Sequence, residues 1–155
     1  MKLLIDTNII IDFLELRDDS EAAKKLLKLA EDSSQYECVS SSSVTDILFI
    51  LTKAMLHRNK DYPDDRKMTR NQVKEQARDN VEKLLSILHI LPVTEHTIKI
   101  AFALKWRDTE DALQYSVSKE NNVDVIITNN KKDFEKDDIP LMTAQEFLDT
   151  LSNSN

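Results

Sequence analysis

Acidic and amide side chains follow the short apolar stretches of this chain, and in open parallel sheets this is where ligands bind. Asp6 comes directly after the apolar residues 3–5, and Asp108 and Asp111 stand three apart at the start of a predicted helix, so both could face one point. Carboxylate and amide oxygens are the usual ligands of Mg²⁺ and Mn²⁺. A cluster without sulfur or imidazole suits metal-dependent hydrolysis of phosphodiester bonds. Its other candidate members are Asp46, Asn129, Asn130 and Asp133.

Each of these acids also has a purely structural interpretation. Asp6 could accept backbone N–H groups as the N-cap of a helix starting near Asn8. Asp108 could be the N-cap of the next candidate helix, with Asp111 in the first turn, where negative charge is favourable. Asp46 lies close to a helix start and has the same alternative. Position alone leaves both interpretations open.

The chain contains no glycine, which excludes several familiar catalytic sites. Loops that hold phosphates or dinucleotides need glycine for close approach of backbone N–H groups, and the nucleophile elbow of many hydrolases needs it too. The three histidines, His57, His89 and His96, lack the spacing of a zinc site. A single cysteine, Cys38, can form no intramolecular disulfide or cysteine-based zinc site, which indicates a reducing compartment.

Apolar segments alternate with helical patterns, which predicts an α/β fold with a parallel sheet and helices on both faces. The predicted strands are residues 3–5, 36–39, 87–93, 123–127 and 139–142. Helix N-caps are predicted in the serine run 40–43, at Thr94 and at Thr143, which begins a capping box with Glu146. The 155 residues, 41% of them hydrophobic, suit one domain over residues 1–151 and a flexible tail at 152–155.

The charge distribution is uneven. The chain has 28 acidic and 21 basic residues and a net charge of −7, yet residues 57–78 hold seven Lys or Arg and only four Asp or Glu. This segment, predicted to be an exposed loop over residues 57–69 and then a helix, could steer phosphates or could simply be a solvated face. No apolar stretch has the length of a signal peptide or a membrane span, so we expect a cytoplasmic protein with no membrane partner.

Three motifs in order resemble those of the PIN-domain superfamily. The first is Leu3-Leu4-Ile5-Asp6-Thr7-Asn8, a hydrophobic strand ending in D-T-N. The second, Asp108-Thr109-Glu110-Asp111-Ala112-Leu113-Gln114, is similar to the family's D-x-E-D-A-L-Q helix. The third, Ile126-Ile127-Thr128-Asn129-Asn130-Lys131-Lys132-Asp133-Phe134, resembles its I-I-T-R-N-x-x-D-F element. Their order and spacing extend the resemblance over nearly the whole chain.

The resemblance implies a three-layer α/β/α fold and a metal-dependent endoribonuclease that binds Mg²⁺ or Mn²⁺. Small members of this family are commonly VapC-type toxins, dimeric and silenced by an antitoxin, so an RNA substrate, an antitoxin and a homodimer are the implied partners. By motif, Asp6, Asp46 and Asp111 match the metal-binding positions, and Asp108 matches the additional acidic position. The residues matched to positioning roles are Thr7, Asn8, Thr128, Asn130 and Asp133.

Two other functions remain open from the sequence. The family often has Arg at position 129 and Asp at position 130, and this chain has Asn129 and Asn130, which favours a PIN-fold module that binds protein or RNA with weak catalysis. A phosphatase with Asp6 as nucleophile is the other alternative. It fits poorly, because the usual D-x-D-G-T start requires an aspartate at residue 8 and a glycine.

Overall fold

The computed structural model describes residues 1–15, 17, 20–32, 35–136 and 138–153. Within these residues the strands are β1 (Lys2–Ile5), β2 (Tyr36–Ser40), β3 (His89–Leu91), β4 (Val125–Ile127) and β5 (Leu141–Met142). The helices are α1 (Thr7–Glu15), α2 (Ser20–Glu31), α3 (Ser41–Asn59), α4 (Arg70–Leu85), α5 (Glu95–Leu104), α6 (Thr109–Glu120) and α7 (Ala144–Ser152). Two short 3₁₀ helices span Asp64–Arg66 and Lys131–Asp133.

The five strands form one parallel sheet in the order β3-β2-β1-β4-β5. The central strand is β1, whose Leu3 pairs with Glu37 of β2 and with Val125 of β4. Since all strands run in one direction, their carboxyl ends share one edge of the sheet. Asp6 and Thr128, which directly follow β1 and β4, therefore come together there.

Helices cover both faces of the sheet, which confirms the predicted three-layer α/β/α architecture. On one face, Leu3, Ile5 and Ile127 pack with buried residues of α1, α2, α3, α4 and α7. On the other face, Leu4 and Ile126 pack with buried residues of α5 and α6. Successive strand residues point to opposite faces, so a strand covered on both sides buries side chains in both directions, and most of them are apolar.

The predicted N-caps at Ser40, Thr94 and Thr143 are confirmed, each accepting a backbone N–H from the first turn of its helix. Thr143 and Glu146 form the predicted capping box. The exposed loop predicted from residue 57 begins later than expected, because α3 continues to Asn59.

The last three strands are shorter than predicted. The Ile87 N–H still bonds the carbonyl of Leu84, 3.1 Å away, so β3 begins only at His89, and Pro92 has no N–H to extend it. Asn122 turns the chain with a left-handed φ of 51° after α6, so β4 begins at Val125. β5 begins at Leu141, directly after Pro140.

Helix α7 runs through Ser152 and so enters the predicted tail, while residues 154 and 155 lie outside the described part of the chain. None of the described helices is both long enough and apolar enough to cross a membrane.

Candidate active site

A cavity of about 560 Å³ opens at the carboxyl edge of the sheet, and we call it the acidic pocket. Its position follows from the topology, because the chain leaves β1 and β4 side by side at this edge. Besides polar and apolar residues, it is lined by six carboxylates: Asp6, Asp46, Asp108, Glu110, Asp111 and Asp133. All four of the predicted catalytic aspartates therefore line one cavity.

Asp6 is the most buried of these acids, with 4% of its surface exposed. Its Oδ1 accepts a hydrogen bond from Gln114 Nε2 at 2.9 Å, and its Oδ2 accepts from Thr128 Oγ1 at 2.7 Å and from Asn8 Nδ2. Asp6 stands at the N-cap position of α1, because its carbonyl accepts the N–H groups of Ile9 and Ile10. The donors to its carboxylate are side chains of other residues instead of the helix backbone. Three side-chain donors fix the carboxylate and compensate for the water that it loses on burial.

Asp108 is the N-cap of α6, which confirms its structural interpretation. Its Oδ1 accepts the backbone N–H of Glu110 at 2.8 Å and that of Asp111 at 3.3 Å. The cap fixes the first turn of α6 so that the side chains of Glu110 and Asp111 both reach the acidic pocket. Asp108 therefore both caps α6 and lines the acidic pocket.

Burial and mutual repulsion raise the pKa of two acids in this turn. Burial first, and then the nearby charges of Asp108, Asp6, Asp133 and Glu110, raise the pKa of Asp111 to about 7. The pKa of Glu110 is raised first by burial and then by the charges of Asp46, Asp6 and Asp108, against a hydrogen bond from Thr7. Concentrated negative charge of this kind is relieved by a bound cation.

The donor chemistry of the acidic pocket fits a divalent cation, since its polar lining is dominated by carboxylate oxygens. Its geometry is open: among the described residues, no three side chains of Asp, Glu, His or Cys are already grouped tightly enough to hold a metal ion. Asp46, in the second turn of α3, lines the same cavity, and its charge acts on Glu110. An ion would have to draw these side chains together.

The remaining predicted residues lie around this group. Thr7 contacts Glu110 rather than Asp6, with 3.5 Å between Thr7 Oγ1 and Glu110 Oε1. Asn130 lines the acidic pocket with Asp133, and its backbone N–H donates to Thr128 Oγ1 at 3.0 Å.

Asn129 points away from the acidic pocket. Its Nδ2 donates to Asp12 Oδ2 at 2.8 Å, and its backbone N–H donates to Asn8 Oδ1 at 3.2 Å. The side chain lines a different, smaller cavity beside α2 and α7. The residue at this position therefore ties β4 to α1 instead of facing the carboxylates.

Three further residues of the site were not singled out from the sequence. Glu110 and Gln114 lie inside the D-x-E-D-A-L-Q motif, and Gln114 follows Asp111 by three residues on the same helix face, which was a usable signal. Arg17 also lines the acidic pocket and lies 3.6 Å from Asp12, measured from Nη1 to Oδ1. The sequence near Arg17 gave no comparable signal.

Comparison with known proteins agrees with this architecture. The profile of the PIN domain matches residues 2–132. Ribonuclease VapC1 of Aquifex aeolicus (strain VF5) is 25% identical over 154 residues, covering 96% of this chain and 94% of that protein. The structure of FitAcB from Neisseria gonorrhoeae has a TM-score of 0.63 at 16% identity, over 92% of this chain and 98% of the other. A toxin–antitoxin complex from Klebsiella pneumoniae has a TM-score of 0.60 at 20% identity, over 92% and 97%. The chain belongs to the PIN domain family.

Proposed function

We propose that this PIN-domain protein is a divalent-metal-dependent endoribonuclease and the toxin of a toxin–antitoxin pair. The observation that carries the proposal is the acidic pocket at the carboxyl edge of the sheet, in which Asp6 is held by three side-chain donors. The similarity to Ribonuclease VapC1 along nearly the whole chain supports RNA as the substrate.

In this proposal Asp6, Asp46 and Asp111 hold Mg²⁺ or Mn²⁺. When bound, such an ion lowers the pKa of water and offsets the negative charge of the scissile phosphate. Gln114, Thr128 and Asn8 keep the Asp6 carboxylate in one orientation, so that it need not reorganise when the ion arrives.

Residues at the mouth of the acidic pocket have positioning roles in this proposal. Asp108 caps α6 with Oδ1, and no described residue donates to its Oδ2, which therefore has a free lone pair for a water or a second ion. Asn130 and Asp133 line the same side of the cavity. Arg17, the cation that lines the pocket, would attract the phosphate and partly offset the carboxylates.

The proposed partners follow from the same comparison. Solved relatives of this fold include toxin–antitoxin complexes, which supports an antitoxin that silences the enzyme. We also propose a homodimer and a cytoplasmic location, the latter in agreement with the free thiol of Cys38.

The experiment is cleavage of a mixed pool of structured RNAs in Mg²⁺ or Mn²⁺, in EDTA, and with two variants. Asp6→Asn removes a proposed metal ligand and should lower the cleavage rate at least about 100-fold. Asp79→Asn removes the same charge from an exposed position on α4 and should cut like the wild type. Cleavage that continues in EDTA, or that Asp6→Asn leaves unchanged, would contradict the proposal.

A second candidate function is a PIN-fold module that binds partners with little catalysis. The observation in its favour is that no three acidic side chains of the described residues are already grouped as a metal site. Calorimetry with Mn²⁺ separates the two candidates. If Mn²⁺ does not bind and no RNA is cut, the binding module is the better description.

A further inference from the structure

A second, larger cavity of about 1090 Å³ runs between α3 and α4, and we call it the α3–α4 groove. It shares two lining residues, Phe49 and Ile50, with the acidic pocket, so the two cavities are neighbours along α3. A ligand that leaves the acidic pocket along this helix therefore passes directly into the groove. Its walls are formed by the second half of α3 and the first turns of α4.

The charge of the α3–α4 groove is opposite to that of the acidic pocket. Four exposed cations line it, namely Lys53, Lys60, Arg70 and Lys74, and no Asp or Glu is among its lining residues. Within the described part of the chain, none of these four forms a salt bridge. Their charge is available to an external anion, and four cations along one groove fit a polyanion better than a single small ion.

An aromatic side chain stands where the two cavities meet. Phe49 leaves 67% of its surface exposed, although the aromatic rings of a folded domain are usually buried. Unpaired bases stack on exposed rings of this kind, whereas bases within a duplex are not free to do so. A ring beside a cationic groove is therefore suited to a single strand.

We propose that the α3–α4 groove binds single-stranded RNA on one side of the cleavage site, with phosphates along its four cations and a base against Phe49. This inference rests on the proposed ribonuclease function. It accounts for both cavities at once, because a strand with its scissile phosphate in the acidic pocket must continue along a neighbouring surface. An acidic protein segment would match the four cations of the groove, but it carries no base to stack on Phe49.

The test uses the double variant Lys53→Gln/Lys74→Gln, which removes one cation from each helix of the groove. Its matched control is Lys24→Gln/Lys28→Gln, which removes two exposed charges from α2. The probe is a labelled oligouridylate of about 20 nucleotides, longer than such a site occupies. Binding is measured in EDTA, so that the RNA is not cut, over a series of salt concentrations.

We expect the groove variant to bind about 10-fold more weakly at low salt. The slope of log affinity against log salt should become shallower by about 0.7 for each phosphate that no longer meets a cation. Phe49→Ala should also weaken binding without changing this slope, because the ring carries no charge. The α2 control should keep both the affinity and the slope of the wild type.

Three outcomes would overturn the inference. They are unchanged binding in the groove variant, an equal loss in the α2 control, and tighter binding of poly-glutamate than of the oligouridylate with the same loss in Lys53→Gln/Lys74→Gln, which would assign the groove to an acidic protein segment. A different result would contradict the ribonuclease proposal. Groove-dependent RNA binding by a wild-type protein that cuts no RNA in Mg²⁺ or Mn²⁺ would support the groove and contradict the nuclease.

Discussion

Two buried carboxylates lie at opposite ends of the sheet, and they differ in the number of groups that donate hydrogen bonds to them. Asp6, at the carboxyl edge, is 4% exposed and accepts hydrogen bonds from three side chains. Glu37, near the amino end of β2, is 1% exposed, and neither of its carboxylate oxygens has a hydrogen-bond partner among the described residues. Burial raises the pKa of Glu37 to about 8, so it is mostly protonated at neutral pH.

The hydrogen-bond donors around a buried acid, rather than its depth of burial, decide which role the acid can have. A carboxylate without donors avoids the cost of a buried charge by keeping its proton. A carboxylate with donors is held in one orientation by hydrogen bonds. The fold thus surrounds one buried acid with donors where the proposed chemistry needs a ligand, and it leaves the other without described donors.

The largest effect expected from this difference is on stability. Below its ordinary pKa of 4.5, Glu37 is protonated in both the folded and the unfolded chain. Between pH 4.5 and about 8 the unfolded chain releases this proton while the folded chain keeps it, so the Glu37 contribution to stability falls as pH rises. Glu37→Gln removes this dependence, so its stability should rise relative to that of the wild type by a few kcal/mol between pH 5 and pH 8.

Urea denaturation of both proteins at pH 5 and pH 8 measures this difference. Other groups titrate in the same range, and subtracting the variant from the wild type isolates Glu37. RNA cleavage by Glu37→Gln should equal that of the wild type, because Glu37 lies at the other end of the sheet. Parallel stability curves would show that Glu37 gains donors that its described surroundings lack.

A smaller effect, on the affinity for Mn²⁺, is expected when Asp6 loses one of its hydrogen-bond donors and so becomes more like Glu37. Thr128→Val keeps the shape of the side chain but removes the hydroxyl that donates to Asp6 Oδ2 at 2.7 Å. Affinity for Mn²⁺ should fall about 10- to 100-fold, as is typical when a residue that orients a metal ligand is lost.

Calorimetry measures this affinity, and Ser116→Ala is the matched control. It also removes a buried hydroxyl, but one that donates only to the Ala112 carbonyl within α6. An affinity for Mn²⁺ that is the same in Thr128→Val and in the wild type would mean that Thr128 does not position Asp6.

The smallest effect concerns Asp108, whose carboxylate has both a structural and a proposed chemical role. Asp108→Ala removes the N-cap of α6 and should lower the free energy of unfolding by about 1 kcal/mol. Asp108→Asn keeps an equally good cap and should leave stability unchanged, while both variants remove the same charge from the acidic pocket. Urea denaturation and RNA cleavage, measured on both, separate the two roles. Equal destabilisation by Asp108→Asn and Asp108→Ala would show that the lost stability does not come from the lost N-cap.

The order of strands and helices could be predicted from the sequence because buried parallel strands are continuous apolar runs between capped helices. Strand ends were less predictable. Apolar residues such as Ile87 and Val123 match a strand by composition, yet the backbone there still belongs to the turn that ends the preceding helix. Where α3 ends was also missed, because its last residues are polar and resemble a loop in composition.

The acids that line the acidic pocket could be predicted from the sequence, but the contacts between residues around the pocket could not. The acids that line it follow strands or begin helices, which are positions that a sequence reveals. That Asn129 bonds Asp12 rather than facing the pocket depends on how closely α1 approaches β4, which no local pattern encodes. Glu37 was equally hidden, because an acid within an apolar strand gives no indication of whether donors will surround it.

The three donors that hold Asp6 have a consequence for how the protein is made. Asn8 is a neighbour, but Gln114 and Thr128 lie 108 and 122 residues further along the chain. The ribosome therefore adds 122 further residues before Asp6 can meet all the groups that orient it. A nascent chain that ends before Gln114 holds every residue of the first motif and still lacks an assembled site. For the proposed nuclease this means that the site is completed late in synthesis of the domain, after residue 128 has been made.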